Sequence, residues 1–168
     1  MIYWLLSVFS TKEVTGMTKV ETSVVIEAPL ESVYAYASDW RNFKHYFVYV
    51  RDVRPLTEKT LGEGAQLELR VKFRGLPLMS EWRGVEQTEN VGWTFNAKLM
   101  GRWATKRWRL AAVDGGTKVT FALEYSMPPI PLLASLMDKL LMKPEWERIY
   151  AESFATLKQL MESETAPA

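Results

Sequence analysis

The sequence contains no cysteine and only one histidine, and these shortages exclude several kinds of chemistry. Without cysteine there can be no disulfide framework, no thiolate nucleophile and no zinc-thiolate site. A catalytic triad would need His45 itself, and no G-x-S-x-G nucleophile motif accompanies that residue. We therefore interpret His45 as a surface residue of a short helix, and we predict no bound metal.

Sequence motifs for nucleotide binding and for a membrane-spanning segment are also missing. No G-x-G-x-x-G or Walker-type loop is present, so we predict no cofactor. A formal net charge of +1 gives no general attraction to nucleic acid, and we predict none as a partner. The apolar run at residues 1–9 is shorter than the ~20 residues that span a bilayer, and it lacks the basic flank of a signal peptide. We expect a cytoplasmic protein, with peripheral contact to a membrane as an alternative.

Aromatic residues, by contrast, are plentiful. The 168 residues include seven tryptophans, seven tyrosines and seven phenylalanines. A chain of this length typically buries roughly 70% of the surface that its unfolded form exposes. These large side chains are therefore expected either to fill a core or to surround a cavity.

Alternation of apolar and polar residues predicts an antiparallel sheet. It is clearest over residues 65–74, and it recurs over 91–99 and 119–127. The Asp114-Gly115-Gly116 turn joins two such segments as a hairpin. A further strand over 20–28 precedes two short helices, which extend through His45. The sequence thus predicts about six to seven strands, each with one wet face.

The C-terminal part is predicted to be helical. After the Pro128–Pro131 cluster, apolar residues of Leu132–Met142 form an amphipathic stretch, and a second apolar stripe runs from Trp146 to Met161. Pro144 is expected to break or kink the junction, giving two helices or one bent helix. We expect Leu132–Met142 to pack against the sheet; a lid and a membrane contact are the alternatives.

No repeat, low-complexity tract or interdomain linker divides the chain. We predict one ligand-binding domain over residues 17–163, with a short tail at 164–168. Residues 1–16 are interpreted as an extension outside the core, or alternatively as a short foot on a membrane interface. The oligomeric state stays open.

A curved sheet closed by one long helix is expected to enclose a lined cavity. Each predicted lining residue is also a reasonable core filler. The predicted ligand-binding residues are Phe73, Trp93, Phe95, Trp108, Phe121, Leu123, Tyr125, Tyr150 and Phe154.

The order of several short motifs resembles the START-like or SRPBCC superfamily, also described as polyketide cyclase/dehydrase and lipid transport. The similar segments are Ile26, Ala28-Pro29, Glu31, Val33-Tyr34 and Ser38-Asp39-Trp40, then Gly62-Glu63-Gly64-Ala65, Asp114-Gly115-Gly116-Thr117 and the long terminal helix. The resemblance covers about Val20 to Met161. It implies an α+β helix-grip fold, a curved antiparallel sheet wrapped around a long C-terminal helix, with a deep hydrophobic pocket.

Three functions are compatible with this fold. The first is binding, transport or sensing of a small hydrophobic molecule such as a lipid, quinone, isoprenoid or polyketide-like compound. This non-enzymatic function is favoured because no acid–base constellation is evident. The second is a polyketide cyclase, aromatase or dehydratase, for which Tyr125 is the candidate catalytic residue and Arg107 or Arg109 would enter the pocket only after a register slip.

The third function is a protein-binding adaptor, which an exposed apolar patch combined with a filled core would indicate.

A run of basic residues bears on the choice of partner. Lys98, Arg102, Lys106, Arg107 and Arg109 lie within twelve residues without an acidic one. We interpret this run as a solvated strand face, and a basic rim for anionic lipid or an acidic protein is the alternative.

Overall fold

A computed structural model describes residues 17–126 and 136–165, and a seven-stranded antiparallel sheet dominates it. The spatial order is β1-β7-β6-β5-β4-β3-β2, so that each strand from β2 to β6 pairs with the next in sequence and β7 also pairs with β1. The predicted meander is therefore confirmed. The strands are β1 (Met17–Ile26), β2 (Val50–Pro55), β3 (Gln66–Phe73), β4 (Leu76–Thr88), β5 (Gly92–Leu99), β6 (Arg102–Val113) and β7 (Gly116–Ser126).

Two short α-helices follow β1, as predicted. Helix α1 (Leu30–Ser38) begins directly after Pro29, and a 3₁₀ turn (Trp40–Asn42) leads into α2 (Phe43–Tyr46). The Asp39 carboxylate accepts a hydrogen bond from the Arg41 backbone N–H at 3.0 Å and so caps the 3₁₀ turn. His45 is exposed on α2, which confirms its interpretation as a surface residue.

The C-terminal segment is helical throughout residues 136–165. A π-helical turn (Asp138–Met142) runs directly into α3 (Lys143–Thr165). Of the two predicted outcomes, the break into two helices is wrong, because the helix is continuous and carries a π-helical irregularity just before Pro144. The wide turn immediately before Pro144 changes the spacing of the backbone hydrogen bonds, and a residue without an N–H is tolerated there.

Helix α3 packs its apolar stripe inward, against β1 and α2. The predicted stripe is confirmed because its members are buried while the opposite face is charged. The buried residues of α3 are Trp146, Ile149, Tyr150, Ser153, Phe154, Leu157 and Met161. The curved sheet and α3 together form the helix-grip architecture, and the space between them is the interior of the protein.

The loop before β3 approaches β4 closely at Gly84. A Cβ atom on Gly84 would lie 1.9 Å from the Gly62 carbonyl oxygen, so only glycine allows this approach. The pairing of β4 with β5 shifts register between Gly84 and Glu86, a bulge that increases the local twist. Gly62 and Gly64 have φ angles of +75° and +89°, in the left-handed region that favours glycine, and they form a turn before β3.

The apolar stretch before Pro144 lies differently from the prediction. Leu136, Met137, Leu140 and Leu141 are between 44% and 64% exposed, so their expected packing against the sheet is wrong. The reason is the rotation of this turn, which directs Asp138 inward towards hydroxyl groups of β1 and β7. The apolar side chains beside Asp138 consequently face outward.

Several sequence predictions concern residues outside the described ranges. These include the extension at 1–16, the proline cluster at 128–131 and the leucines at 132 and 133. Within residues 17–126 and 136–165, no helix combines the length and apolar character needed to cross a membrane.

Candidate ligand-binding interior

The space between the curved sheet and α3, called the grip below, is lined by aromatic rings. All nine predicted ligand-binding residues are buried, with exposures of 8% or less. From the sheet these are Phe73, Trp93, Phe95, Trp108, Phe121, Leu123 and Tyr125, and from α3 they are Tyr150 and Phe154. Their assignment to ligand binding stays a prediction.

The centre of this lining is a continuous stack from sheet to helix. Trp93 and Trp108, on neighbouring strands, are stacked with ring centroids 5.2 Å apart. Trp108 contacts Phe121 edge-on at 4.9 Å, and Phe121 lies 4.3 Å from the Tyr150 ring on α3. Such pairs add roughly 0.5–1.5 kcal/mol each beyond the burial of their area.

Sequence reasoning did not assign the aromatic residues of α2 to this interior. Phe43 and Phe47, four residues apart, both point inward, and the Phe47 ring lies 6.0 Å from Trp108 and 6.2 Å from Phe154. Phe47 thus occupies the middle of the grip. Helical spacing was the available signal, because residues four apart share one face of a helix. The other buried rings not assigned to the site are Tyr34, Tyr46, Tyr49, Trp82 and Trp146.

Lys106 is also in this interior, contrary to the prediction of a solvated basic face. It lies on β6 between Phe95 and Leu123, its inward-facing partners on the adjacent strands, and is only 4% exposed. The signal was present, since a period of two places Lys106 on the same side as Trp108. Reading the basic residues as one run obscured that alternation.

The Lys106 amine has aromatic and phenolic neighbours. Nζ donates a hydrogen bond to the Tyr49 hydroxyl at 2.6 Å, and that oxygen lies 3.4 Å from the Tyr150 hydroxyl. Nζ also sits over the Trp82 ring, 4.1 Å from its centroid. Within residues 17–126 and 136–165, no carboxylate forms an ion pair with it.

Burial without a counter-charge lowers the pKa of Lys106 well below the ordinary lysine value, because desolvation penalises the charged form. The same burial raises the pKa of Tyr49 and of Tyr150 above the ordinary value, so both phenols keep their protons. The three groups together form a polar cluster inside an apolar lining.

Two indole N–H groups of the interior have no hydrogen-bond acceptor among the described residues. They belong to Trp93 and Trp108. Burial raises the pKa of the nearby Tyr46 hydroxyl well above the ordinary value, and the Trp108 N–H opposes this only in part, because the pair falls short of hydrogen-bond geometry. The Trp93 N–H is simply unsatisfied. Buried donors without acceptors are unusual in folded proteins, and they destabilise the interior that contains them.

Arg107 and Arg109 point away from the interior, and no register slip turns them inward. Arg107 forms an ion pair with Glu124 at 3.4 Å, and Arg109 forms one with Glu86 at 2.8 Å. On the same outer face, Lys98 lies over the Trp103 ring at 5.6 Å. These residues agree with a solvated strand face whose charges are balanced by neighbours.

Tyr125, the candidate catalytic residue, donates its hydroxyl to the Asp138 carboxylate at 2.5 Å. Asp138 also accepts a bond from the Thr18 hydroxyl at 2.5 Å. Burial, together with Asp138, raises the pKa of Tyr125 above the ordinary value. The partner that this phenol was expected to need is thus a carboxylate that joins the helix to the edge of the sheet.

The two concavities described on the surface lie outside the grip. The larger, about 640 Å³, is an open depression beside Pro29 and Gly116. The smaller lies at Trp40, Arg41, Lys44 and Val53. Neither depression is lined by the rings of the aromatic interior. Around Phe47 the ring centroids lie about 6 Å apart, so a ligand at that point would have to displace side chains. Over the described ranges, no group of three or more acidic or histidine side chains is arranged to hold a metal ion.

An antiparallel sheet gripping a C-terminal helix around a buried aromatic interior defines the START-like, helix-grip class of proteins. The chain belongs to the family described as polyketide cyclase/dehydrase and lipid transport, whose sequence model matches residues 17–162. The resemblance read from the motifs is thereby confirmed.

Solved structures with the same fold come from several bacteria. An aromatase/cyclase, Zhui from Streptomyces sp. R1128, is 16% identical with a TM-score of 0.73, covering 89% of this chain and 96% of its own. Protein TTHA0849 from Thermus thermophilus is 19% identical with a TM-score of 0.72, covering 89% and 100%. A START superfamily protein from Mycobacterium smegmatis is 14% identical with a TM-score of 0.66, covering 86% and 97%. No curated protein matches the sequence.

Proposed function

We propose that the protein binds one small hydrophobic molecule in the aromatic interior between the sheet and α3. The observation that carries this proposal is the lining itself, in which stacked rings extend from Trp93 on β5 to Tyr150 on α3. Apolar area buried by a ligand contributes about 25 cal/mol per Å², so such a surface supplies affinity without a catalytic set. The family and the aromatase/cyclase of similar fold support the proposal.

Phe47 is the side chain whose movement would create space for the ligand. It follows the four-residue helix α2, and its ring lies between the sheet and α3. A helix this short has little stability of its own, so α2 depends on packing for its position. A ligand of aromatic character would replace the contacts that Phe47 gives up.

The test is native mass spectrometry of the purified protein, followed by extraction and identification of compounds that co-purify. Titration with the neutral fluorescent probe N-phenyl-1-naphthylamine then gives stoichiometry and affinity. We expect one probe per chain. A protein that is consistently empty and also fails to bind the probe would contradict the proposal.

Matched tryptophan variants locate the probe. Trp108 is fully buried and Trp103, on the same strand, is 40% exposed. We expect Trp108→Phe to change the probe dissociation constant several-fold and Trp103→Phe to leave it unchanged. Recovery of a bound polyketide analogue in unchanged form supports a carrier, whereas its conversion supports a cyclase.

A second candidate function, a protein-binding adaptor, is favoured by one observation. The apolar surface formed by Leu136, Met137, Leu140 and Leu141 is exposed beside an interior filled with side chains. If Leu140→Lys abolishes probe binding while Trp108→Phe does not affect it, the apolar surface binds the probe and the adaptor becomes the better hypothesis.

A further inference from the structure

The buried amine of Lys106 indicates which apolar molecules the interior prefers. Lys106 occupies a position where a methionine of similar length would fill the same space without desolvating an amine. Replacing buried charged groups by apolar residues of similar volume is often neutral or stabilising. The fold therefore does not require an amine at this position, whereas recognition of a ligand would.

Among the described residues, Nζ has no negatively charged hydrogen-bond acceptor. Its single hydrogen-bond acceptor among the described residues is the Tyr49 hydroxyl. Nζ also lies over the faces of the Trp82, Tyr49 and Tyr150 rings. These rings attract a cation weakly compared with a carboxylate or phenolate. The cluster is therefore complementary to an oxygen that carries negative charge.

A second observation agrees with this conclusion. The Trp93 indole N–H, in the same aromatic lining, also has no acceptor in the described structure. The interior thus contains more hydrogen-bond donors than acceptors. A hydrocarbon ligand would offer these donors no hydrogen-bond acceptor, whereas a ligand with oxygen atoms would.

We propose that Lys106, with the hydroxyls of Tyr49 and Tyr150, recognises one acidic oxygen of an otherwise apolar ligand, in a phenol, enol or carboxyl group. This inference rests on the proposed function and specifies its ligand class. When a neutral phenol binds, its O–H bond breaks and the proton moves to the lone pair of Nζ. The ligand oxygen keeps the electron pair and forms an ion pair with the ammonium group.

The experiment compares two probes that differ in one group, 4-hydroxy-4′-nitrobiphenyl and its methyl ether. Absorption titrations are carried out below the pKa of the free phenol, so that an ionised spectrum arises only on binding. We expect the protein to bind the phenol roughly tenfold or more tightly than the ether, since a hydrogen bond to a charged group has about that effect. We also expect the bound phenol to show the phenolate spectrum.

Variants of two lysines test the residue responsible. Lys106→Met should reduce the affinity for the phenol to that for the ether, remove the phenolate spectrum and leave ether binding unchanged. Lys98→Met, on the outer face, should change none of these. Tyr49→Phe keeps the ring and removes one hydroxyl, so it should reduce the preference for the phenol even if Lys106→Met fails to fold.

The outcomes separate the two proposals. Equal affinity for both probes, with the bound phenol un-ionised, would overturn the role of Lys106 while supporting apolar binding. A phenolate spectrum that persists in Lys106→Met would do the same. If neither probe binds any form of the protein, the proposed function is overturned, and the inference with it.

Discussion

Two charged residues are buried in the described part of the chain, and the protein surrounds them very differently. Asp138 is 6% exposed and accepts hydrogen bonds from Thr18 and Tyr125. Lys106 is 4% exposed and has one phenol and several ring faces as neighbours. The carboxylate is satisfied by donors from two strands, whereas the amine has no acceptor of opposite charge. A satisfied buried charge indicates a structural role, and an unsatisfied one indicates a role that requires a further partner.

The largest expected effect comes from removing the satisfied group. Asp138→Ala leaves the buried Tyr125 hydroxyl and the partly buried Thr18 hydroxyl without their acceptor, and it releases the turn that begins the terminal helix. We expect the free energy of unfolding to fall by about 3 kcal/mol, measured by urea denaturation with tryptophan fluorescence. Asp114→Ala, an exposed carboxylate in a hairpin turn, is the control and should stay within about 0.5 kcal/mol. An equally small effect at Asp138 would show that its bonds do not hold the helix.

Removing one donor from Asp138 should have a smaller effect. Tyr125→Phe keeps the ring and loses one charge-assisted hydrogen bond, so we expect a loss of about 2 kcal/mol. In the Asp138→Ala background the same change should destabilise less, because its acceptor is already absent. Purely additive losses in this double-mutant cycle would argue against coupling of the two groups. If ligand conversion is found and Tyr125→Phe leaves it unaltered, Tyr125 is not the catalyst.

Substitution of the unsatisfied group should change stability in the opposite direction. Lys106→Met is expected to raise the free energy of unfolding by about 1 kcal/mol near neutral pH, because it removes a desolvated amine. The folded-state pKa of Lys106 is lowered, so the unfolded chain binds more protons between that pKa and the ordinary value of 10.5. Stability of the unaltered protein therefore rises with pH across this window.

The gain from Lys106→Met should accordingly shrink as pH rises towards 10.5. Thermal unfolding of both proteins over a series of pH values measures the difference directly, and the other titrating groups cancel. A gain that is independent of pH would mean that Lys106 titrates normally in the folded protein. A loss of stability at every pH would mean that its contacts with Tyr49 and Trp82 outweigh its desolvation.

The contrast between the two buried charges also shows where sequence reasoning succeeds and where it stops. Alternation along the strands identified the apolar face of the sheet, including Trp93, Trp108 and Phe121, because the period of a strand is a local property. The stripe of α3 followed from helical spacing in the same way. Both patterns depend only on neighbouring residues.

The buried positions of Asp138 and Lys106 could not be predicted in this way, because a charged side chain suggests an exposed position. A lysine among four other basic residues suggests a solvated face, although the period of two places Lys106 inside. The inward orientation of Asp138 depends on hydroxyls far away in sequence, at Thr18 and Tyr125. Contacts of this kind are absent from any local pattern, and they decided the rotation of the turn that exposes Leu140 and its neighbours.

The smallest expected effect concerns Arg107, the residue directly after Lys106 on β6. Its guanidinium pairs with Glu124 on the outer face, where both side chains are about one-third exposed. Exposed ion pairs contribute little, so Arg107→Gln should change the free energy of unfolding by less than about 0.5 kcal/mol. It should also leave the preference for the phenol probe unchanged. A change in that preference would show that Arg107 affects ligand binding in the interior. The assignment of acidic-oxygen recognition to Lys106 alone would then be wrong.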